Sequence, residues 1–434
     1  MIAHWAQESN LAQFSEEVVH GYLFRTGLTD LVDETAALDE KSVGDEDDFQ
    51  LWRIIKARAL TKLKRLHNSV RYGEFLGSKI KLPTDHTRPI ELDLLGHHED
   101  GLFILELKVD RAAERNAFSE LFAYSNYVAG MFALSGHKDI TNVLVSTMDV
   151  KITRQAYLYD LLVADRDIVV YAPVFVTDAL ESLRLQLHVP SDDEFKRFTN
   201  QLLSHDAMGC VVITIDDMPG WIDNKEEDGS PNEWTRKHLS GLSNYAAQLM
   251  EEERLHGFCF VRKFWESIPW SNRSSLFICA LNPFRLAEPE RANAITEQLD
   301  EELHANLFEA PLYAFDGRLI RLAQRVANDG LTHGGHGEVE LPLWSAVVTS
   351  VSEVAISHNF AFRPTGMMRE AYVSYLNAIY ARNASGIGYQ EDVSKLKVNE
   401  ISNWLRAWMF MEMCGFQAGE VPERRTTMTK LSPG

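Results

Sequence analysis

Between Pro89 and Tyr127 the chain reads PIELDLLGHHEDGLFILELKVDRAAERNAFSELFAYSNY, and its pattern of apolar and polar positions changes along the way. IELDLL alternates carboxylates with apolar residues, which predicts a strand with Glu91 and Asp93 on one face and Leu92 and Leu94 on the other. Gly96 to Gly101 is a polar turn with a glycine at each end. LFILELKVD then predicts a second strand, apolar almost throughout as a strand covered on both faces should be, except at Glu106 and Lys108. Those two point the same way. After Asp110, the residues Ala113, Ala117, Leu121, Tyr124 and Val128 recur on one face of a helix that runs to about Met131. Glu120 and Tyr124 lie one turn apart on it and face the same site.

Upstream, residues 1–38 read as one or two short helices, with LAQFSEEVVHGYLF stopping at Gly27. From Phe49, the residues Trp52, Ile55, Ala59, Leu63, Leu66 and Val70 form a helical seam that ends near Tyr72. SKIKLPTDHTRPIELDLL gives an edge strand or loop, because Pro83 and Pro89 break any helix there. Downstream, TNVLVSTMD (141–149) and DIVVYAPVFV (167–176) read as strands flanking the helical ITRQAYLYDLLVAD, an order that extends an α/β sheet. The core is expected to end near Thr177, followed by a helical connection, ALESLRLQL. A second α/β segment follows: strand GCVVITIDD (209–217), a polar loop, helix HLSGLSNYAAQLMEEERLHG, and strands FCFVRKFWE and SLFICALNP. From Leu343, WSAVVTSVSEVAISHNF, MMREAYVSYLNAIYARN and VNEISNWLRAWMFMEMCGF are three helical patterns. The expected organisation is an N-terminal helical segment with an acidic linker (1–48), an α/β domain (49–178), a second α/β domain of unassigned role (179–335) and a helical C-terminal region (336–434).

The length of 434 residues suits two or three domains. No run reaches the roughly 18 apolar residues of a membrane span, and the N-terminus lacks a secretory pattern, so a cytoplasmic protein without a membrane partner is expected. Cys210, Cys259, Cys279 and Cys414 are scattered, which favours buried thiols over zinc or disulfides. A formal net charge of −20 repels phosphates and suits a basic protein partner better than a uniform nucleic-acid surface. Positive charge is nevertheless concentrated in Leu51 to Gly73, where Arg58, Lys62 and Arg65 share a helix face and Arg71 follows, without one Asp or Glu. That face is either solubilising or a stripe for phosphates.

Glu106 and Lys108 are costly in a buried strand unless paired or bound to something. If the two strands form a hairpin, Asp93 and Glu106 converge at one end of it and Lys108 reaches the space in front of both. Hard carboxylates of this kind suit Mg²⁺ or Mn²⁺, with water and a phosphate completing the octahedron. Phosphodiester hydrolysis is the chemistry such a site favours. Other clusters are weaker: Asp216 and Asp217 read as loop carboxylates, His97 and His98 as turn residues, and His333, His336 and Glu338 as a flexible loop lacking a further zinc ligand.

At Asp93 and Glu106-Leu107-Lys108 the chain resembles the PD-(D/E)XK nuclease superfamily, whose signature is a strand aspartate followed by Glu-x-Lys on the next strand. RecB-like members carry Gln-x-x-x-Tyr on the following helix, where this chain has Glu120-Leu-Phe-Ala-Tyr124, a departure at the first position. The resemblance covers roughly Phe49 to Phe175. It implies a restriction-endonuclease-like mixed sheet flanked by helices, a Mg²⁺-dependent (or Mn²⁺-dependent) deoxyribonuclease, and roles in restriction, repair or anti-phage defence. By the same resemblance Asp93 and Glu106 bind metal, with Glu74 as the glutamate of the preceding helix and the Leu107 carbonyl as further ligands. Lys108 positions the attacking water, and Glu120 and Tyr124 support the site. DNA phosphates are expected on Arg58, Lys62, Arg65, Arg71, Arg111 and Arg115, and a homodimer would allow both strands to be cut. The alternative is a nuclease-like scaffold used as a protein-interaction or regulatory module.

Overall fold

A computed structural model of the chain describes residues 14–33, 51–83, 90–109, 111–136, 138–199, 207–215, 233–262, 274–285, 289–331, 337–353, 359–386 and 404–414. Two compact units divide the chain, Met1–Ser42 with Ile55–Asp192 and Val43–Ile54 with Asp193–Gly434.

The first unit opens with helix α1 (Glu16–Thr26), whose first turn carries Glu16 and Glu17 and whose end is set by Gly27 at φ 80°. Acids at the start complement the helix dipole, and glycine adopts that backbone without strain. Helix α2 (Leu51–Arg71) follows. Then β1 (Glu74–Leu82), β2 (Ile90–His98) and β3 (Gly101–Leu107) form an antiparallel meander. The turn between β2 and β3 is only Glu99 and Asp100, because His98 pairs with Gly101. Gly96 therefore lies inside a strand and not at a turn. A Cβ there would come within 2.1 Å of the Phe103 ring, so glycine makes room for that side chain.

The expected single helix after Asp110 is two, α3 (Arg111–Glu114) and α4 (Ala117–Ala129). Strand β4 (Ile140–Val145) lies parallel to β3, and after α5 (Lys151–Leu162) strand β5 (Ile168–Phe175) lies parallel to β4. ALESLRLQL is not a helical connection. It forms one short 3-10 turn and then β6 (Leu183–Leu187), antiparallel to β5 at the sheet edge. The resulting mixed sheet has the order β1-β2-β3-β4-β5-β6. Every residue of β4 is buried, as expected of a parallel strand covered on both faces.

The core on one side joins Val19 and Leu23 of α1 and Leu66 and Val70 of α2 to Leu94, Phe103, Leu105, Leu107 and Val143 of the sheet. Each such side chain contributes roughly 1.5–3 kcal/mol by leaving water. Because strand side chains alternate, Asp93, Ile104 and Glu106 face the other way.

Besides Val43–Ile54, the second unit carries α6 (Asp192–Thr199), β7 (Met208–Ile215), α7 (Glu233–Glu252), β8 (Gly257–Arg262), β9 (Ser274–Leu281), α8 (Pro289–Thr296), α9 (Glu301–Gly330), β10 (Gly337–Glu340), α10 (Trp344–Glu353), β11 (Asn359–Thr365), α11 (Gly366–Ser385) and α12 (Trp404–Met413). Its five strands are antiparallel, in the order β10-β7-β9-β8-β11. One face packs Val211, Ile213, Cys259 and Ile278 against Leu239 and Ala246 of α7 and Phe315 and Leu319 of α9. The other buries an aromatic cluster in which Phe258 meets Trp344 and Phe362, and Tyr372 meets Phe362 and Phe410. Residues 359–365, expected at the junction of two helical patterns, are a strand. Glu338 also lies on a strand, while Asp216, Asp217, His333 and His336 fall outside the described residues, as does the acidic stretch Asp39 to Asp48. All four cysteines are buried free thiols. Among the described residues no helix is long and apolar enough to cross a membrane.

Candidate active site

The β2–β3 ladder ends at the candidate site. Its last backbone pair at this end is Leu94 with Leu105. Beyond it the Asp93 carboxylate replaces the ladder, its Oδ2 accepting a hydrogen bond of 3.0 Å from the Leu107 N–H. The Asp93 carbonyl is in turn 3.0 Å from Nε2 of the buried His20 on α1. Two strands that part at a side-chain bridge leave Asp93 and Glu106 beside one another.

Glu106 is 2% exposed. Its Oε1 lies 2.6 Å from Lys108 Nζ, whereas Oε2 is buried without a hydrogen-bond partner. Burial, and next the Asp93 charge, push its carboxyl up to about 8 against the opposing pull of Lys108. Asp93 is also raised by burial, the Leu107 N–H and Lys108 working the other way. Lys108 bridges to Glu120 on α4 at 2.7 Å. Burial disfavours its ammonium, but the Glu106 and Glu120 carboxylates outweigh burial and hold it above the usual lysine range. Tyr124, one turn beyond Glu120, is pushed up to about 12 by burial and then by the Glu106 and Glu120 charges. It stays a hydroxyl donor at neutral pH. The structure thus gathers Asp93, Glu106, Lys108, Glu120 and Tyr124.

It also brings in a residue that sequence patterning did not single out. Glu16, in the first turn of α1, takes a backbone hydrogen bond from Val109 and is raised by burial, with Lys108 lowering it and Asp93 and Glu120 adding to the rise. Its Val109 partner is the residue after Lys108, so Glu16 lies beside the end of β3. Glu74 does not. It is the first residue of β1 and not the last turn of a helix, its side chain is 82% exposed, and its carboxylate lies 3.7 Å from His97 Nε2.

The donor set suits a hard divalent cation. A buried Glu106 oxygen without a partner, next to the half-buried Asp93 carboxylate, makes a pair whose joint ionisation a divalent cation would support. Among the described residues no three His, Cys, Asp or Glu side chains are grouped to hold an ion, so Asp93 and Glu106 would be the protein's carboxylate share of an otherwise hydrated ion.

The basic face of α2 meets aspartates of its own unit. Lys62 lies 3.0 Å from Asp165 and 3.7 Å from Asp167, Arg65 lies 2.9 Å from Asp167 and 3.3 Å from Asp100, and Arg58 lies 3.8 Å from Asp165. Lys138 joins the same aspartates. Burial opposes the Asp165 charge, but Lys138 and Lys62 outweigh it and hold the carboxyl at about 2. Lys62 and Arg65 thus carry counter-ions within their own unit. Arg71 lies over the Tyr72 ring at 5.3 Å. Arg115 is exposed on the α3–α4 corner, and the Arg111 side chain is outside the described residues. Glu114 on α3 is buried, accepting hydrogen bonds from the Val150 N–H at 2.9 Å and the Thr147 hydroxyl at 3.2 Å at the start of α5.

Compared with known proteins, the chain matches no family model, no curated protein and no solved structure.

Proposed function

We propose that the protein is a metal-dependent nuclease of PD-(D/E)XK type that hydrolyses DNA phosphodiester bonds, with a restriction-endonuclease-like core in its first unit. The observation that carries this reading is the convergence of Asp93, Glu106 and Lys108, three ionic side chains whose burial costs free energy, with an unpartnered Glu106 oxygen among them. The meander β1-β2-β3, followed by helices and the parallel strand β4, supports it. Asp93 and Glu106 would hold Mg²⁺ or Mn²⁺. Such an ion, when bound, polarises a phosphoryl oxygen and acidifies water. Glu16 on α1, hydrogen-bonded to the Val109 backbone next to Lys108, is not grouped with Asp93 and Glu106 to hold an ion. Lys108, kept charged by Glu106 and Glu120, orients the attacking water or offsets charge on the phosphoryl oxygens. Tyr124 donates its hydroxyl to substrate or to a neighbouring carboxylate. Two sites brought together by a homodimer would cut both strands.

The test is cleavage of plasmid and linear DNA with Mg²⁺ or Mn²⁺, against EDTA. The parent is expected to cut only with metal, and Lys108→Ala to lose about 10²-fold or more of the rate. The alternative, a nuclease-like scaffold that binds a basic protein partner, is favoured by one observation, the occupation of the α2 basic face by Asp100, Asp165 and Asp167. Absence of cutting on DNA and RNA with either metal would favour that alternative over the enzyme.

A further inference from the structure

The surface of α4 leading away from the catalytic cluster is uncharged and apolar. Glu120, Tyr124 and Tyr127 are spaced by four and three residues, and Met131 follows after four more, so they form one line along the helix and its closing turn. From Leu121 to Gly136 the chain carries no Asp, Glu, Lys or Arg, in a protein otherwise rich in acids. Tyr127 is 43% exposed, Met131 61%, Phe132 51% and Leu134 98%. A succession of exposed large apolar side chains on one tip marks a binding surface more often than chance. At its inner end Glu120 bridges to Lys108 at 2.7 Å, so the line is continuous with the site.

Building on the nuclease reading, we infer that this line is a stacking platform for an unpaired nucleic-acid strand, whose bases rest on Tyr127 and the Met131–Phe132 tip beside the candidate site. Two features select an unpaired strand over a duplex. Duplex grip depends on free cations along the phosphates, and the cationic face of α2 is engaged by Asp100, Asp165 and Asp167. Stacking needs no net charge and accepts any base, because every base has a π-face. Residues three or four apart on a helix are also about 5–6 Å apart, wider than the ~3.4 Å step of a stacked strand. Bases must part to use such a platform, which a paired duplex resists.

The experiment is binding of a fluorescent oligothymidine, and of the same strand in a duplex, to the full chain in EDTA, with 2-aminopurine quenching as a direct readout of stacking. The single strand is expected to bind at least tenfold tighter than the duplex. Tyr127→Ala is expected to weaken it by about 5-fold to 150-fold, the range of one lost base stack, and to relieve the quenching, while Tyr127→Phe keeps both. Equal affinity for duplex and single strand, no binding, or an unchanged affinity in Tyr127→Ala would overturn the inference. So would a dimer in light scattering that Met131→Glu disperses, since the tip would then cover a second copy of the chain. The two readings fail separately. Strand binding that needs Tyr127 without any metal-dependent cutting leaves the platform and removes the nuclease; metal-dependent cutting indifferent to Tyr127 does the reverse.

Discussion

Glu106 places chemistry and stability in opposition. Its Oε2 is buried without a partner and its other oxygen shares Lys108 with Glu120, so in the metal-free protein the carboxylate charge is poorly served. Gln at this position keeps an acceptor for Lys108 and removes the charge that Asp93 repels. Glu106→Gln is therefore expected to raise stability in EDTA by about 1–3 kcal/mol, the scale of one unsatisfied buried group, while abolishing metal-dependent cutting. Urea unfolding of the two proteins measures the first effect, and an unchanged or lowered midpoint would show that Glu106 is better solvated than its burial indicates. Asp93, Glu106, Lys108, Glu120 and Tyr124 were legible in the sequence because one hairpin and the next helix place them, and strand and helix periodicity report local geometry well. Glu16 was not. It is separated from Asp93 by a whole helix and more, and a glutamate in a first helical turn already has a sufficient local reason in the helix dipole. Glu74 was misplaced for a related reason: α2 stops at Arg71, so the chain has left the helix before Glu74, which opens β1 with its side chain exposed.

At the scale of elements, α2 shows what periodicity reports and what it omits. The seam of Ile55, Ala59, Leu63, Leu66 and Val70 is buried as patterned. The charged face kept two readings because its partners lie far along the chain, Asp100 in the β2–β3 turn and Asp165 and Asp167 before β5. The network has a pH signature whose sign follows from Asp165. Its carboxyl is held at about 2, below the usual aspartate value, so its contribution is complete above about pH 4 and is lost as pH falls toward about 2. Asp165→Asn is expected to make stability flatter across that window, with little change in slope above about pH 5. Acid titration of helical circular dichroism checks this, and a parallel pair of curves would remove Asp165 from the network. Three other elements were misread or passed over for identifiable reasons. In β6 the leucines at 183, 185 and 187 alternate with Arg184 and Gln186, a strand period that the preceding Leu180 disguised as a helical one. Pro311 lies inside α9, where an interior proline costs about 3 kcal/mol or more, and that hides a continuous helix. β11 is short and directly precedes α11, so its alternation was absorbed into helical patterns on both sides.

At the scale of the whole molecule, the two units have separate apolar cores and separate sheets. Each core is large enough to sustain its own cooperative transition. The candidate chemistry lies wholly in the first unit, and the aromatic cluster around Phe258 wholly in the second. Calorimetry on the full chain is therefore expected to show two transitions that respond to different substitutions. Glu106→Gln should raise one of them by roughly 2–12 °C if its gain is about 1–3 kcal/mol. Phe258→Ala removes a ring that touches Trp344, Phe260 and Phe362 and should lower the other by the equivalent of about 3–5 kcal/mol. Where the lowered transition of Phe258→Ala is the first of the two, metal-dependent cutting should persist between the midpoints, since the second unit does not hold the site. A single transition moved by both substitutions would mean that the cores unfold together, and the second unit would then be needed to keep Asp93, Glu106 and Lys108 in place.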